Sequence, residues 1–419
     1  MRLIKKIPFY ALSLLILASC SNISSNSVNL ESDKIKSFST DSASNLDNLN
    51  NAIDFSTNTK NTFNNSKVKL FIDTEAFKAL TDMLSSAEKT IYVEIYEFAN
   101  DKAGQAIAKI LMDKAKQGVD VRFIYDFLTN TNVKLIQEMA KSGVKVQTYG
   151  KDVISGKGSV THRKLYSVDG SKAMTGGMNI VEPFMTGKNH DVLIQYEGEI
   201  ALATAKEFVN DWVVSGGKID DKMKENLATP IQEYAEKYPL RLAITNPLAK
   251  PKKTELYNMF LAAIDTAKDN IKMAMPYFTD DNLIEHLRNA QRRGVKVTVI
   301  IPYKSFYKAV EMVNTLSVNQ LYSSGVSIFR GGKDGTYNHS KVMTVDNVWT
   351  TIGSCNADAR AFNNNQELNI AISDPAFTEE VNKRFFEKTI AESERGTYTE
   401  LSLAKKAVYG LLEKLDRFF

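Results

Sequence analysis

Two histidines of this chain sit in one repeated frame, His-x-Lys-x4-Asp-x6-Gly-(Gly/Ser)-x-Asn. It occurs once with His162, Lys164, Asp169, Gly176, Gly177 and Asn179, and again with His339, Lys341, Asp346, Gly353, Ser354 and Asn356. His and Asn are seventeen positions apart in both copies, in a chain with 4 histidines in all, so composition alone does not account for the match. Two half-sites imply one shared site. The chemistry that uses such a set is phosphodiester exchange: one imidazole attacks phosphorus while a second protonates the departing oxygen. Two lysines and two asparagines surround the phosphoryl oxygens with donors, which stabilises the transition-state charge without a metal.

The one-residue skip in His-x-Lys suits a β-strand, where positions i and i+2 share a face. Arg163 and Ser340 are then expected to point away from the site. Asp169 and Asp346 are carried as catalytic candidates, although an Asp followed by Gly170 or Asn347 between apolar strands also reads as a hairpin turn. Gly176, Gly177 and Gly353 are expected to let the backbone approach the phosphate closely. Asp191 and Glu367 follow the histidines of their own halves by 29 and 28 positions. A carboxylate at matching distance in each half is suited to accept the imidazole's far N–H, fixing its tautomer and orientation.

These paired motifs resemble the HKD signatures of the phospholipase D superfamily, and most closely the bacterial cardiolipin synthases. The run Asn356-Ala-Asp358-Ala-Arg360-Ala-Phe362, followed by Asn365 and Glu367, is similar to that family's N-x-D-x-R-S-F-x-x-N-x-E, with Ala361 in place of the usual Ser. His190-Asp191 and then Phe208, Asp211 and Trp212 resemble the corresponding stretch of the first half. The similarity runs from about residue 67 to residue 395. It implies an α/β fold of two similar phospholipase D-like domains, each a mixed sheet flanked by helices, related by a pseudo-twofold axis with one active site at their interface. It also implies that His162 is the nucleophile and His339 the acid for the leaving alcohol.

The opening MRLIKKIPFYALSLLILASC has a basic start and a short apolar run ending in small residues. Residues 1–19 therefore read as a secretory signal. Leu17-Ala18-Ser19-Cys20 resembles the lipobox of bacterial lipoproteins, which implies lipidation of Cys20 and a membrane lipoprotein on the exported side of a bacterial envelope. The Asn/Ser-rich stretch completing residues 20–66 is expected to be a disordered tether.

Beyond that point helix and strand periods alternate in two matching series, giving a first domain over 67–213, a linker over 214–240 and a second domain over 241–395. An amphipathic helix closes the chain over 396–419, with packing onto the enzyme as its expected role and contact with the membrane beside the site as the alternative. With Cys20 consumed, Cys355 is the only other cysteine. It lies between two site-facing neighbours of a strand and is therefore expected to pack inward. No Cys/His or carboxylate cluster has metal-site spacing, so neither a metal nor a cofactor is expected.

The net charge is +4, from 53 basic and 49 acidic residues, and removing 1–19 takes away three positive charges and no acids. Near-neutrality argues against a nucleic-acid partner. The expected partners are a phospholipid such as phosphatidylglycerol and the membrane, and the expected state is a monomer. The leading reading is a membrane-anchored phosphatidyltransferase or phospholipid phosphodiesterase working through a phosphohistidine. A metal-independent nuclease and a non-catalytic surface-binding protein are the alternatives.

Overall fold

Apolar, β-branched runs build seven strands in the first half: β1 Ser66–Ile72, β2 Thr90–Ile95, β3 Asp120–Asp126, β4 Lys145–Tyr149, β5 Lys164–Val168, β6 Lys172–Gly176 and β7 Val192–Gly198. Seven more follow in the second: β8 Leu240–Asn246, β9 Asn270–Ala274, β10 Lys296–Pro302, β11 Ser327–Gly331, β12 Val342–Val345, β13 Trp349–Gly353 and β14 Asn365–Ile372. In the computed structural model, which describes residues 44–130, 133–153, 158–305, 307–332 and 334–414, the two sheets have one order. It runs 1, 7, 6, 5, 2, 3, 4 in the first and 8, 14, 13, 12, 9, 10, 11 in the second. The pairs β2/β3, β3/β4, β9/β10 and β10/β11 are parallel and the other pairs along these paths are antiparallel.

Each parallel crossover needs a helix. The helices Lys102–Lys116 and Asp281–Arg292 supply the first in each half, N-capped by Asp101 and Asp280 through the amides of Gly104 and Leu283.

The two sheets share a central core. Tyr92, Ile194, Phe208 and Trp212 from the first half pack in one cluster with Leu242, Ile370, Phe377 and Phe385 from the second. The Glu199–Val214 helix lies in this layer, with Phe208 stacked on Tyr92 at 4.7 Å between ring centroids. Burying one such side chain contributes about 1.5–3 kcal/mol, so the interface is built like a domain interior. Separate clusters cover the outer face of each sheet. Cys355 is buried in the outer core of the second half, just past the end of β13.

Two short exchanges lock the halves further. Val160–Thr161 adds in parallel to the start of β14, opposite Asn365 and Gln366, and Asn189–His190 pairs with Tyr337–Asn338. Each exchange involves the residues just before a motif histidine.

Two expectations need correction. The tether does not extend to residue 66, because Asn45–Thr57 is a helix whose Leu49, Ala52 and Ile53 are buried against Leu256, Phe260 and Ile264 of the second half. Its N-cap Ser44 accepts from the Asp47 amide, and Arg241 pairs with Asp54. The expected signal segment, Cys20 and the tether up to residue 43 lie outside the described residues.

The closing helix Leu403–Lys414 lies against the Lys308–Ser323 helix, as expected, while Val408 and Leu411 of its apolar side stay 53% and 61% exposed.

Asp169 and Asp346 are not at the histidines. They sit past the far ends of β5 and β12, with φ of 52° and 51°, as turn residues of the hairpins. The Asp169 carboxylate accepts from the backbone amides of Glu88, Lys89 and Thr90, and that of Asp346 from Lys268, Asp269 and Asn270. At about 3.3 Å per strand residue, the seven steps from each motif's His to its Asp span up to about 23 Å. Their geometry is that of clamps on the loops entering β2 and β9. Asp346→Ala, which strands three amides at once, is expected to lower unfolding free energy by about 2–4 kcal/mol in a denaturant titration, while activity per folded molecule is retained.

Candidate active site

His162 and His339 leave their exchange strands held by backbone bonds to the opposite half: the His162 amide donates to Gln366 O and the His339 amide to His190 O, both at 2.9 Å. The same crossing continues in the side chains. His162 Nδ1 lies 2.9 Å from Glu367 Oε1, and His339 Nδ1 lies 2.8 Å from Asp191 Oδ2. The carboxylates anticipated as partners are therefore the right residues serving the other half's histidine. A sequence count within one half could not reveal this, because the pairing is made by strands that cross between domains.

The residue preceding the variable position of each Gly-x-Asn or Ser-x-Asn end stands beside one of these carboxylates, Gly177 at Asp191 and Ser354 at Glu367. Ser354 Oγ bonds Glu367 Oε2 and accepts from the Leu368 amide. At Gly177 a Cβ would stand 2.5 Å from Asp191 Oδ1, so the glycine makes room for the carboxylate rather than for a phosphate. Gly176 and Gly353 likewise admit a neighbouring strand, at Val192 O and Leu368 O.

With Nδ1 engaged, Nε2 of each ring is the nitrogen left for chemistry. Lys164 Nζ donates to His162 O at 2.7 Å, and Lys341 Nζ donates to His339 O and lies 2.9 and 3.1 Å from that ring's two nitrogens. Asn179 and Asn356 are buried in corresponding places, with Asn179 Nδ2 donating to Glu97 Oε2 at 3.3 Å. Arg163 points away, as its strand position requires, into a buried contact with Asp211. Ser340 bonds Asn338 instead.

Composition gave no sign of the aromatic walls. Tyr96 meets His162 edge-on at 4.7 Å and lies beneath Lys164 Nζ at 5.0 Å, while Phe184 meets His339 edge-on at 5.3 Å. His190, bonded through Nδ1 to Asp73 and through Nε2 to Thr389, holds the second exchange strand. The adjacency of His190 to Asp191 was the available signal for that role.

Burial dominates the electrostatics. It pushes both imidazoles well below their ordinary range, and the two lysines push further in the same direction. Lys164 falls to about 7 and Lys341 to about 8, chiefly through burial and, for Lys164, also through Lys341. Asp191 rises to about 7 and Glu367 to about 8 for the same first cause. The His–carboxylate contacts are thus hydrogen bonds from neutral imidazoles rather than ion pairs. Among the described residues no group of three or more His, Cys, Asp or Glu is arranged to hold a metal, and no helix is long and apolar enough to cross a membrane.

The family model described as cardiolipin synthase, PLD-like domain matches the chain twice, over residues 80–212 and 260–389, so the chain belongs to that phospholipase D-like family. It is an enzyme of the phosphatidyltransferase or phosphodiesterase type. Among relatives, it is 29% identical over 348 residues to the probable cardiolipin synthase YwiE of Bacillus subtilis, covering 80% of this chain and 68% of the relative. It is 30% identical over 330 residues to cardiolipin synthase A of Pseudomonas entomophila, covering 76% and 67%. The fold is shared with the crystal structure of the phosphatidylserine synthase of Haemophilus influenzae, with a TM-score of 0.66 at 14% identity over 88% of this chain and 100% of that one.

The paired shifts set a pH window. Below about 7 to 8 the carboxylates take up protons and stop accepting from the imidazoles, and above it the lysines lose theirs. A narrow maximum of kcat/KM between pH 7 and 8 is expected. A bound phosphodiester anion favours the ammonium forms, so the alkaline limb of kcat should lie at higher pH than that of kcat/KM, measurable from full pH–rate profiles.

Proposed function

We propose that this protein transfers a phosphatidyl group between alcohols, or to water, through a phosphohistidine on His162, in the manner of a cardiolipin synthase. The observation that carries the reading is the pair of buried histidines, each with Nδ1 tied to a carboxylate of the opposite half and each flanked by its own motif's lysine. A bond forms from His162 Nε2 to phosphorus as the bond from phosphorus to the headgroup oxygen breaks, and His339 delivers its proton to that oxygen. The acceptor alcohol then gives its proton to His339 and displaces His162 from phosphorus. His339 must enter the first step protonated; the bound phosphodiester favours that form and Asp191 accepts the Nδ1 proton. Lys164, Lys341, Asn179 and Asn356 donate to the phosphoryl oxygens.

That relatives of this chain are cardiolipin synthases supports a phospholipid substrate. Membrane attachment is proposed through lipidated Cys20, whose several acyl chains would each add about 0.8 kcal/mol per buried CH₂.

His162→Ala is expected to abolish turnover of phosphatidylglycerol in mixed micelles and all covalent labelling, with a rate loss of several orders of magnitude. Because the carboxylates serve in trans, Asp191→Asn, a change in the first half, should behave like His339→Ala and accumulate the labelled enzyme. Glu367→Gln should instead slow its formation by about 10²–10⁴. Labelling lost in the Asp191 variant and accumulated in the Glu367 variant would reverse the roles. DNA cleavage that depends on His162, with no phospholipid turned over, would replace the lipid reading by a nuclease. Mass spectrometry of the membrane-extracted protein should find acyl chains on Cys20, and none in Cys20→Ser.

A further inference from the structure

The duplicated halves are superimposable in their hydrogen bonding next to the site. The residue after Asn179, Ile180, donates its amide to Glu97 O at 3.1 Å, and the residue after Asn356, Ala357, donates to Tyr277 O at 3.1 Å. One residue further on, the amide of Phe98 donates to the Asn130 side chain and that of Phe278 to the Asn314 side chain. Phe98 bridges to Ile180 and Phe278 to Ala357. Glu97 and Tyr277 therefore hold the same position in the two halves, beside the two site asparagines, and differ as much as two side chains can.

On the first side Glu97 is bonded to Asn179 and feels the Lys164 ammonium. On the second side Tyr277 has Tyr337, Tyr307 and Tyr96 as its electrostatic neighbours, with Asp358 as a weaker one. The matched position thus carries a carboxylate on one flank and a phenol on the other. A carboxylate beside an anion-binding centre opposes the anion unless it serves a hydrogen-bond donor, and burial holds the Glu97 carboxyl above its ordinary range. Asn179 takes one of its roughly four lone-pair directions, which leaves acceptor capacity for a ligand. The phosphodiester has two arms, one an acylated glycerol without donors and one a headgroup alcohol. Only the headgroup can satisfy such a group.

We propose that Glu97 is a specificity-determining residue that accepts a hydrogen bond from a hydroxyl of a polyol headgroup, and so fixes which arm of the phosphodiester faces the first half. The assignment rests on the phosphatidyl-transfer reading above. A site built to bond a hydroxyl rejects the analogue that lacks it more strongly than an apolar pocket rejects a missing methylene.

The test uses the full chain on vesicles containing either phosphatidylglycerol or an otherwise identical lipid with a propanol headgroup, and measures headgroup release. Wild type is expected to favour phosphatidylglycerol by about tenfold or more in kcat/KM. Glu97→Ala should bring the ratio near one by slowing phosphatidylglycerol alone, and Glu97→Gln, which keeps an acceptor oxygen and the shape, should retain part of the preference. Equal slowing of both lipids in both variants would make Glu97 a support for Asn179 only and overturn the proposal. So would a wild-type ratio left unchanged in Glu97→Ala. A wild-type preference for an ethanolamine lipid, lost in Glu97→Gln, would assign the carboxylate to an ammonium and overturn the polyol. Wild type that releases headgroup from none of these lipids would fail the phosphatidyl-transfer reading itself, and this assignment with it.

Discussion

Each histidine of the site is oriented by the half of the molecule to which it does not belong. The Glu367–His162 and Asp191–His339 bonds depend on two strand exchanges, Val160–Thr161 onto β14 and Asn189–His190 onto Tyr337–Asn338, and these in turn require the sheets to be packed through a common core. Neither half holds a finished half-site when separated. A buried imidazole without its carboxylate would keep no preferred tautomer, and a buried carboxylate without its imidazole would lose a hydrogen bond. The interface and the chemistry are therefore one construction problem, which accounts for a domain boundary built as a shared hydrophobic core.

Charge control follows from the same enclosure. The lysines and carboxylates lie in a volume that disfavours every one of their ionised forms, so their affinities for protons converge near neutrality. Such a set gains or loses its protons together over a narrow pH range, and a ligand carrying one negative charge changes the balance of all of them together. Aromatic rings at Tyr96 and Phe184 complete the enclosure without adding charge.

Much of this was legible in the chain. The repeated frame located His162, Lys164, Asn179 and their counterparts, strand parity placed Arg163 away from the site, and the two carboxylates were found by spacing. Their crossed pairing was not legible, since linear distance is blind to which domain a strand joins. Asp169 and Asp346 misled because an invariant place in a repeat looks the same whether it serves a reaction or a turn; their positive φ and the three amides each one binds settle the matter. The helix Asn45–Thr57 was hidden by an Asn-rich composition, although Leu49, Ala52 and Ile53 carry the i, i+3, i+4 spacing of a buried face behind a serine cap. The outward apolar stripe of the last helix is a tertiary outcome, which amphipathicity alone does not decide.

That first helix has a bearing on how the molecule is completed. Its apolar face is covered by the Glu255–Thr266 helix, made roughly two hundred residues later, and the next short strand, Thr62–Phe63, pairs with the opening of β8. Domains form from the N-terminus during synthesis, so the first half can assemble while the segment in front of it still waits for a partner. The earliest element of the described chain is then among the last to dock, closing like a clasp over the half that was made second. Any attachment point upstream of Ser44 would pull on that second half, and through the clasp, rather than on the domain that follows it in sequence.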